Sequence, residues 1–203
     1  EETDMRFSRM LAGLALGLAV LAGWAGDVAV LKTVLPGLVA MQPWAALGFV
    51  AAGLALLAAS LRAPAASVIR VAASWLLLAI AAQALLAHAG LDLGSDTWLF
   101  PSALQGQQGY RHLGRIAAIT TVAMVFLGVA LLLARDRRRW ASGLFSLVAT
   151  LGLFVVSVPL VAYLFELHTV ALVAPIALHT TIGFVVLFVG VITLRPDAGW
   201  IAA

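Results

Sequence analysis

Histidine is the side chain in this sequence with the widest chemical repertoire, and the chain has four, at positions 88, 112, 168 and 179. Imidazole can ligate zinc or copper, and two facing histidines can ligate haem iron. No two of them are spaced as metal ligands on one predicted helix, and none shares a predicted helix with an acidic residue at such a spacing. The sequence therefore predicts no metal or cofactor. The alternative, a haem or metal site, would use His88, His168 and His179.

His179 is the most informative of the four, because a polar side chain inside a membrane span is costly unless it faces protein or water. Other polar or aromatic side chains are expected at a comparable depth on the same side. Together they would line an outward-facing ligand pocket: His179, Thr180, Thr181, Gln83, His88, Thr120, Thr121, Asp27, Glu166 and Trp44. The alternative is that the threonines bond carbonyls of their own helix and that Gln83 only joins helices.

Several chemistries are excluded by what the sequence lacks. Without cysteine there can be no disulfide, thiolate metal site or cysteine nucleophile. No glycine-rich phosphate loop or nucleophile motif is present. Carboxylates are also missing from the predicted hydrocarbon core, where a proton-coupled transporter would commonly use them, since Asp27 and Glu166 only end predicted helices. The only lysine, Lys32, falls in a loop, which argues against a retinal Schiff base. We therefore expect no catalysis from this chain itself.

The elements that must position these side chains are membrane helices. Of the 203 residues, 64% are hydrophobic and 10% are charged, with a mean hydropathy of +1.09, whereas soluble domains are about 45–50% apolar and 25% charged. Charge-free runs predict an all-α integral membrane protein, with residues 1–203 as a single transmembrane domain. The six predicted spans are 8–28, 43–61, 66–89, 114–134, 140–165 and 173–194.

Prolines set several of these boundaries, because proline lacks an amide proton and disfavours helix just before it. Pro36 and Pro43 leave Thr33–Gln42 as an interfacial loop or short helix, and Pro175 delays the sixth span. The first charge-free run, within 8–28, resembles a signal peptide in its charge and length, but we interpret it as a retained first span.

The basic residues predict the orientation. With the amino terminus inside, the cytoplasmic side carries nine of them and the outer side three, which favours both termini inside. The outer three are Lys32, Arg111 and Arg115, and the inner nine are Arg6, Arg9, Arg62, Arg70, Arg135, Arg137, Arg138, Arg139 and Arg195. With a net charge of only +3, these residues orient the chain and indicate no nucleic-acid partner; the lipid bilayer is the expected partner.

A two-helix unit is repeated three times. The second helix of each hairpin aligns so that Phe49, Met124 and Phe184 are equivalent, at spacings of 75 and 60 residues. Three such hairpins should pack with approximate pseudo-symmetry and place these residues at comparable depth. The small-residue spacing of Gly13 and Gly17 favours close packing inside the bundle, with a homodimer seam as the open alternative.

The same residues carry a family resemblance. The segment 177–184, Ala-Leu-His-Thr-Thr-Ile-Gly-Phe, with the exit 194–200, and the loop 91–101 resemble the multi-helix membrane region of bacterial sensor histidine kinases and diguanylate cyclases. In that family each hairpin's second helix opens on a related motif. The family's asparagine is replaced here by Trp44 and Ile119, so a repeated polar ring would be incomplete.

The resemblance implies a function. We expect a sensory input domain in the bacterial inner membrane, whose sixth helix leaves at Arg195 for a kinase or cyclase domain of the same polypeptide. A periplasmic or membrane stimulus would favour one packing of the hairpins. The alternative is a stand-alone small membrane protein that binds haem or metal or serves as an accessory subunit of a membrane complex.

Overall fold

The structure is a computed structural model and describes residues 2–33, 39–61, 63–106, 112–165 and 176–198, with side chains from residue 11. The described part is helical throughout its regular elements and contains no strand. Six longer helices are joined by shorter pieces that include a 3₁₀ turn, Ser95–Thr97. The α-helices are α1 (Glu2–Ala25), α2 (Ala29–Thr33), α3 (Pro43–Ser60), α4 (Pro64–His88), α5 (Pro101–Gln105), α6 (Ala118–Leu133), α7 (Arg139–Leu164) and α8 (Leu178–Leu194).

Proline opens several of these helices. Pro43, Pro64 and Pro101 stand in the first turn of α3, α4 and α5, where a missing amide proton costs nothing and a fixed φ favours the helix. The predicted break before Pro43 is confirmed. Pro36 and Pro175 lie outside the described residues. Inside α7, Pro159 is accommodated without ending the helix.

The six longer helices form a closed ring in chain order, since α1 also packs against α8. Across this ring α3, α6 and α8 contact one another. We call these three the central helices and α1, α4 and α7 the peripheral helices. The second helix of each predicted hairpin is thus central and the first is peripheral, which is the arrangement that three repeated hairpins would produce.

The central and peripheral helices differ in how much of their surface is buried, and the exposed surface indicates what surrounds the bundle. In α3, 67% of residues are buried, against 33% and 39% in the apolar windows of the peripheral helices α4 and α7. The exposed faces of α4 and α7 carry large apolar side chains, among them Trp75, Leu151 and Phe154. α3, α4 and α7 are each long and apolar enough to cross a membrane. This combination is that of a membrane protein, in which lipid covers the apolar outer faces.

Aromatic and sulfur side chains fill the centre where the central helices meet. The rings of Phe49 and Phe184 lie 4.6 Å apart between centroids. A Cβ added at Gly48 would stand 2.5 Å from Met124 Cε. The three residues aligned by the repeat, Phe49, Met124 and Phe184, belong to one buried cluster.

The observed bounds of α1, α6 and α8 differ from the predicted ones. α6 begins at Ala118 rather than at 114, because Gly114 adopts a left-handed φ of +74° and Ala117 is extended. A side chain at Gly114 would come within 2.2 Å of Asp96 O, so this backbone is shaped by a neighbouring loop. α1 runs from Glu2 to Ala25 instead of 8–28, and α8 starts at Leu178 instead of 173.

The glycine pair in α1 packs inside the bundle, as predicted. A Cβ added at Gly13 would meet Leu187 Cδ2 of α8 at 2.5 Å, and one at Gly17 would meet Ala46 O of α3 at 2.6 Å. Each glycine thus lets α1 approach a central helix closely, which is the use that small residues have in membrane bundles.

Candidate functional site

The amino ends of the three central helices converge on a small cavity of about 10 Å³. Its lining repeats three times in the register of the hairpin alignment, with each residue's equivalent 75 and then 60 positions along the chain. The three triplets are Met41, Ile116 and Ile176; Gln42, Ala117 and Ala177; and Ala45, Thr120 and Thr180. Ala40 completes the lining. We call this space the axial cavity, because it lies where the three repeats meet.

Most residues that line the axial cavity are apolar, but Gln42, Thr120 and Thr180 add polar groups to its wall. Thr180 is 2% exposed and Gln42 7% exposed. Thr180 Oγ1 and Gln42 Oε1 have no hydrogen-bond partner among the residues that the structure describes. A buried polar atom without a partner costs about 1–3 kcal/mol, so these two atoms are the polar groups of the wall that a ligand would contact.

The backbone adds further donors to this end of the bundle. Gln42, Ala117 and Ala177 are the N-cap residues of α3, α6 and α8, and none of them makes a side-chain capping bond. The first-turn amides of a helix have no partner within the helix. Three positive helix ends are therefore brought together without a side-chain cap.

His179 lies on a different side of α8. It is 7% exposed and borders a pocket of about 180 Å³ between α1 and α8. The other lining residues are apolar: Ala12, Gly13, Leu16, Ile182, Gly183 and Val186. In the described part of the chain, neither ring nitrogen of His179 has a hydrogen-bond partner. We call this space the α1–α8 pocket.

Protein-family models, curated proteins and solved structures gave no match to this chain. Within the described residues, no group of three or more His, Asp or Glu side chains could hold a metal ion.

The residues predicted to line one pocket lie in different places. Some line the axial cavity or the α1–α8 pocket, and others line neither space. The hydroxyls of Thr121 and Thr181 donate to Ala117 O and Ala177 O, at 3.1 and 3.3 Å. This is the bond to the preceding turn that the alternative reading of the threonines predicted. The threonines that precede them on the same helices, Thr120 and Thr180, line the axial cavity.

The remaining candidate residues make local contacts. His88 Nε2 lies 2.9 Å from Ile116 O, Trp44 Nε1 donates to Ser95 O at 2.9 Å, and Asp27 pairs with Lys32 at 2.6 Å on the surface. Gln83 Nε2 on α4 is buried and unpartnered within the described ranges, but Gln83 lines neither space. Glu166 and His168 lie outside the described residues.

At the carboxyl ends of the central helices, arginine side chains bind backbone carbonyls. Arg135, which follows α6, donates to Ala59 O at 3.1 Å and also to Leu61 O, at the end of α3. Arg195, which follows α8, donates to Asp136 O at 2.7 Å, just beyond α6. Cations at a helix carboxyl end satisfy free carbonyls and complement the helix dipole.

Arg70 has a related role that the sequence did not reveal. Its guanidinium donates to Leu131 O and Leu132 O of α6, each at 2.8 Å, and the residue is buried. Arg70 was counted among the inner basic residues that predict the orientation. These two bonds show that it also holds α4 against α6.

The loop between α4 and α6 is held by ion pairs. Arg115 Nη2 lies 2.5 Å from Asp92 Oδ2, and Arg115 Nε lies 2.9 Å from Asp96 Oδ2. The bond from Gly94 N–H, followed by the Arg115 charge, lowers the pKa of Asp92, and the bond to Asp96 raises the pKa of Arg115. This loop then presents Ser95 O to Trp44 in the first turn of α3, so it is fixed next to the axial cavity.

Proposed function

We propose that the chain is the membrane-embedded input module of a bacterial signal-transduction protein, anchored in the inner membrane by six spans with both termini inside. Three helices have the length and hydropathy of spans. The nine-to-three distribution of basic residues supports the orientation.

The shorter helices fit this proposal because of where they lie. α6 and α8 have 16 and 17 residues, which is about 25 Å of helix and less than the 30 Å hydrocarbon core. The non-helical residues that precede them, including Ile116, Ile176 and Ala177, are buried in protein. Non-helical backbone at membrane depth is tolerated where protein covers it.

The observation that carries the proposal is that α8 connects His179 at its amino end with Arg195 at its carboxyl end. At its amino end, buried His179 borders the α1–α8 pocket. At its carboxyl end, Arg195 holds the end of α6 through Asp136 O and bonds Ser142 Oγ of α7 at 2.5 Å. A helix is stiff, so a changed contact at His179 would move Arg195 and the chain that follows it.

The α1–α8 pocket fits an amphiphilic stimulus. Its apolar lining would hold a hydrocarbon or ring body, and a hydroxyl or carbonyl group would bond the imidazole. Such a ligand can shift the equilibrium between two packings only by its different affinity for each. The chain itself performs no catalytic step in this proposal; a cytoplasmic kinase or cyclase domain would.

The test uses the full-length parent protein with a reporter of its output. His179→Ala should leave the protein inserted and folded but change the output, whereas the exposed loop variant His112→Ala should not. Equal output from both variants and the wild type would contradict the proposal, as would a parent gene that ends at residue 203 with no kinase or cyclase partner. A Soret band or stoichiometric metal in the purified protein would instead assign His179 to the alternative, a cofactor-binding protein.

A further inference from the structure

A larger cavity lies at the opposite end of the central helices, where their carboxyl ends meet. Its volume is about 340 Å³, which is at the lower end of the range of small-molecule sites. The described residues that line it stand in the last turns of α3 and α8 or just beyond α6 and α8. Four of them are charged: Arg135, Arg137, Arg195 and Asp197. We call this space the carboxyl-end cavity.

The charges at the carboxyl-end cavity are mainly positive. Its described lining has three guanidinium groups and one carboxylate, that of Asp197. Each helix carboxyl end adds roughly half a negative charge, but Arg135 and Arg195 bond carbonyls at the ends of α3 and α6 and offset it. The adjoining segment 135–139 carries four arginines and one aspartate. The cations therefore outweigh the described carboxylates and the helix ends, which favours an anionic ligand.

The arginines have N–H donors to spare. Each guanidinium has five of them. The bonds to the bundle use Nε and Nη2 of Arg135 and Nη1 and Nη2 of Arg195. Within the described residues they leave Nη1 of Arg135 and Nε of Arg195 without an acceptor, and Arg137 has only a loose pair with Asp197 at 3.7 Å. Phosphate is the anion that suits such donors, because a planar guanidinium can bond two of its oxygens at once.

Two of the three arginines are already held in place. Arg195 is 8% exposed and bonds three oxygens of the bundle. Arg135 bonds carbonyls at the end of α3. Because these side chains are ordered before a ligand arrives, most of the ordering cost of binding falls on Arg137 alone. The cavity thus differs from a set of mobile cations on a surface.

We propose that the carboxyl-end cavity binds the phosphate group of a small solute, held by Arg135, Arg137 and Arg195. Its described lining includes no residue of the peripheral helices, so the site lies on the axis of the bundle and away from the acyl chains. A phospholipid headgroup offers the same chemistry, and the experiment separates the two sources. The bound group would bridge the chain segments that follow α6 and α8. Binding goes beyond the proposed function and does not depend on it.

The experiment titrates inorganic phosphate and glycerol 3-phosphate into the purified 203-residue chain in phosphatidylcholine nanodiscs, at constant ionic strength, and measures binding by calorimetry. We expect saturable binding of both. Arg137→Gln should weaken the affinity about fivefold, which is the effect of one exposed ion pair. Asp197→Asn should strengthen it, because it removes the only carboxylate of the described lining and releases Arg137.

Arg139→Gln is the matched control. It removes the same charge from an exposed residue at the start of α7, and Arg139 does not line the cavity. At about 0.15 M salt, charges farther apart than about 8 Å are largely screened, so its affinity should change by less than about twofold.

Mass spectrometry of the chain purified with phosphatidylglycerol separates the two sources. A lipid that stays bound and is displaced by glycerol 3-phosphate would assign the same arginine contacts to a headgroup, whereas no retained lipid would assign them to a soluble solute. No saturable binding of either probe, equal losses of affinity in the 137 and 139 variants, or a weaker affinity in Asp197→Asn would each overturn the proposal. None of these results affects the output test at His179, so the two proposals can fail separately.

Discussion

Arg135 and Arg195 make equivalent contacts in two consecutive repeats. The residues are 60 positions apart, as the hairpin alignment requires, and each donates to a carbonyl just beyond the central helix of the preceding hairpin. Their acceptors, Leu61 O and Asp136 O, are themselves equivalent, 75 positions apart. A contact between two helices that recurs in register cannot follow from apolar composition alone, so it supports the threefold repeat independently of the sequence alignment.

The first prediction concerns Arg195. Arg195→Gln removes bonds to Leu133 O, Asp136 O and Ser142 Oγ and the contact with the Phe145 ring. Because Arg195 is buried and its acceptors would stay unpaired, we expect a loss of about 3 kcal/mol in the free energy of unfolding. Denaturant unfolding in detergent, followed by tryptophan fluorescence, measures it.

Arg137→Gln is the control for this prediction. The Arg137 side chain is exposed and pairs loosely with Asp197 at 3.7 Å, so its loss should cost less than about 1 kcal/mol. Equal unfolding midpoints for the two variants would contradict the structural role of Arg195.

A second prediction tests the close approach of α1 and α3. Gly17→Ala should destabilise the protein by about 1–3 kcal/mol or more, because the new methyl group would meet backbone atoms Ala46 O and Val50 N at 2.6 and 2.8 Å. Gly143→Ala in α7 is the matched control, since nothing lies within 4 Å of its added Cβ. It should be neutral or stabilising by up to about 1 kcal/mol. A stable Gly17→Ala protein would show that the two helices do not approach as described.

The sequence predicted the helices well where local features bound them. Pro43 and the apolar run after it place α3 within one residue of its observed end at Ser60. The start of α6 was wrong by four residues, because Gly114 and Arg115 are held by contacts with Asp96, 18 and 19 positions earlier. Such long-range contacts leave no mark in a local hydrophobic pattern.

Of the residues predicted to line one pocket, Thr120 and Thr180 line the axial cavity and His179 borders the α1–α8 pocket. Neighbouring residues on a helix point about 100° apart, so His179 and Thr180 could not share one pocket on a single helix. Gln42 was missed because it stands in the predicted loop before Pro43. The repeat alignment makes Ala45 equivalent to Thr120 and Thr180, and Gln42 stands three residues before Ala45, which is the signal that could have found it.

The loop ion pairs give a third prediction, a pH dependence in the acid range. The folded pKa of Asp92 is lowered, so its contribution to stability is complete above the ordinary aspartate pKa of about 3.9 and is lost as the pH falls through the folded value. The difference in unfolding midpoint between the wild type and Asp92→Asn should therefore be constant from pH 7 to about 5 and shrink below about 4. Asp197→Asn, which breaks only the loose pair with Arg137, is the control. A difference that stays constant down to pH 2.5 would show that Asp92 gains nothing from Arg115 and Gly94.

The last prediction tests the orientation, and the absence of native cysteine makes single-cysteine labelling unambiguous. The label belongs in the loop between α4 and α6. Ser95 in this loop is unsuitable, because it is buried and its carbonyl accepts the Trp44 bond. Leu93 in the same loop is 65% exposed, and its replacement leaves the Asp92, Asp96 and Arg115 side chains in place. Leu93→Cys should react with a membrane-impermeant maleimide in cells whose inner membrane is intact. Arg138→Cys, at the exposed start of α7, should react only after that membrane is permeabilised. The reverse pattern would place the amino ends of the central helices in the cytoplasm and would move both the α1–α8 pocket and the axial cavity to the inner side.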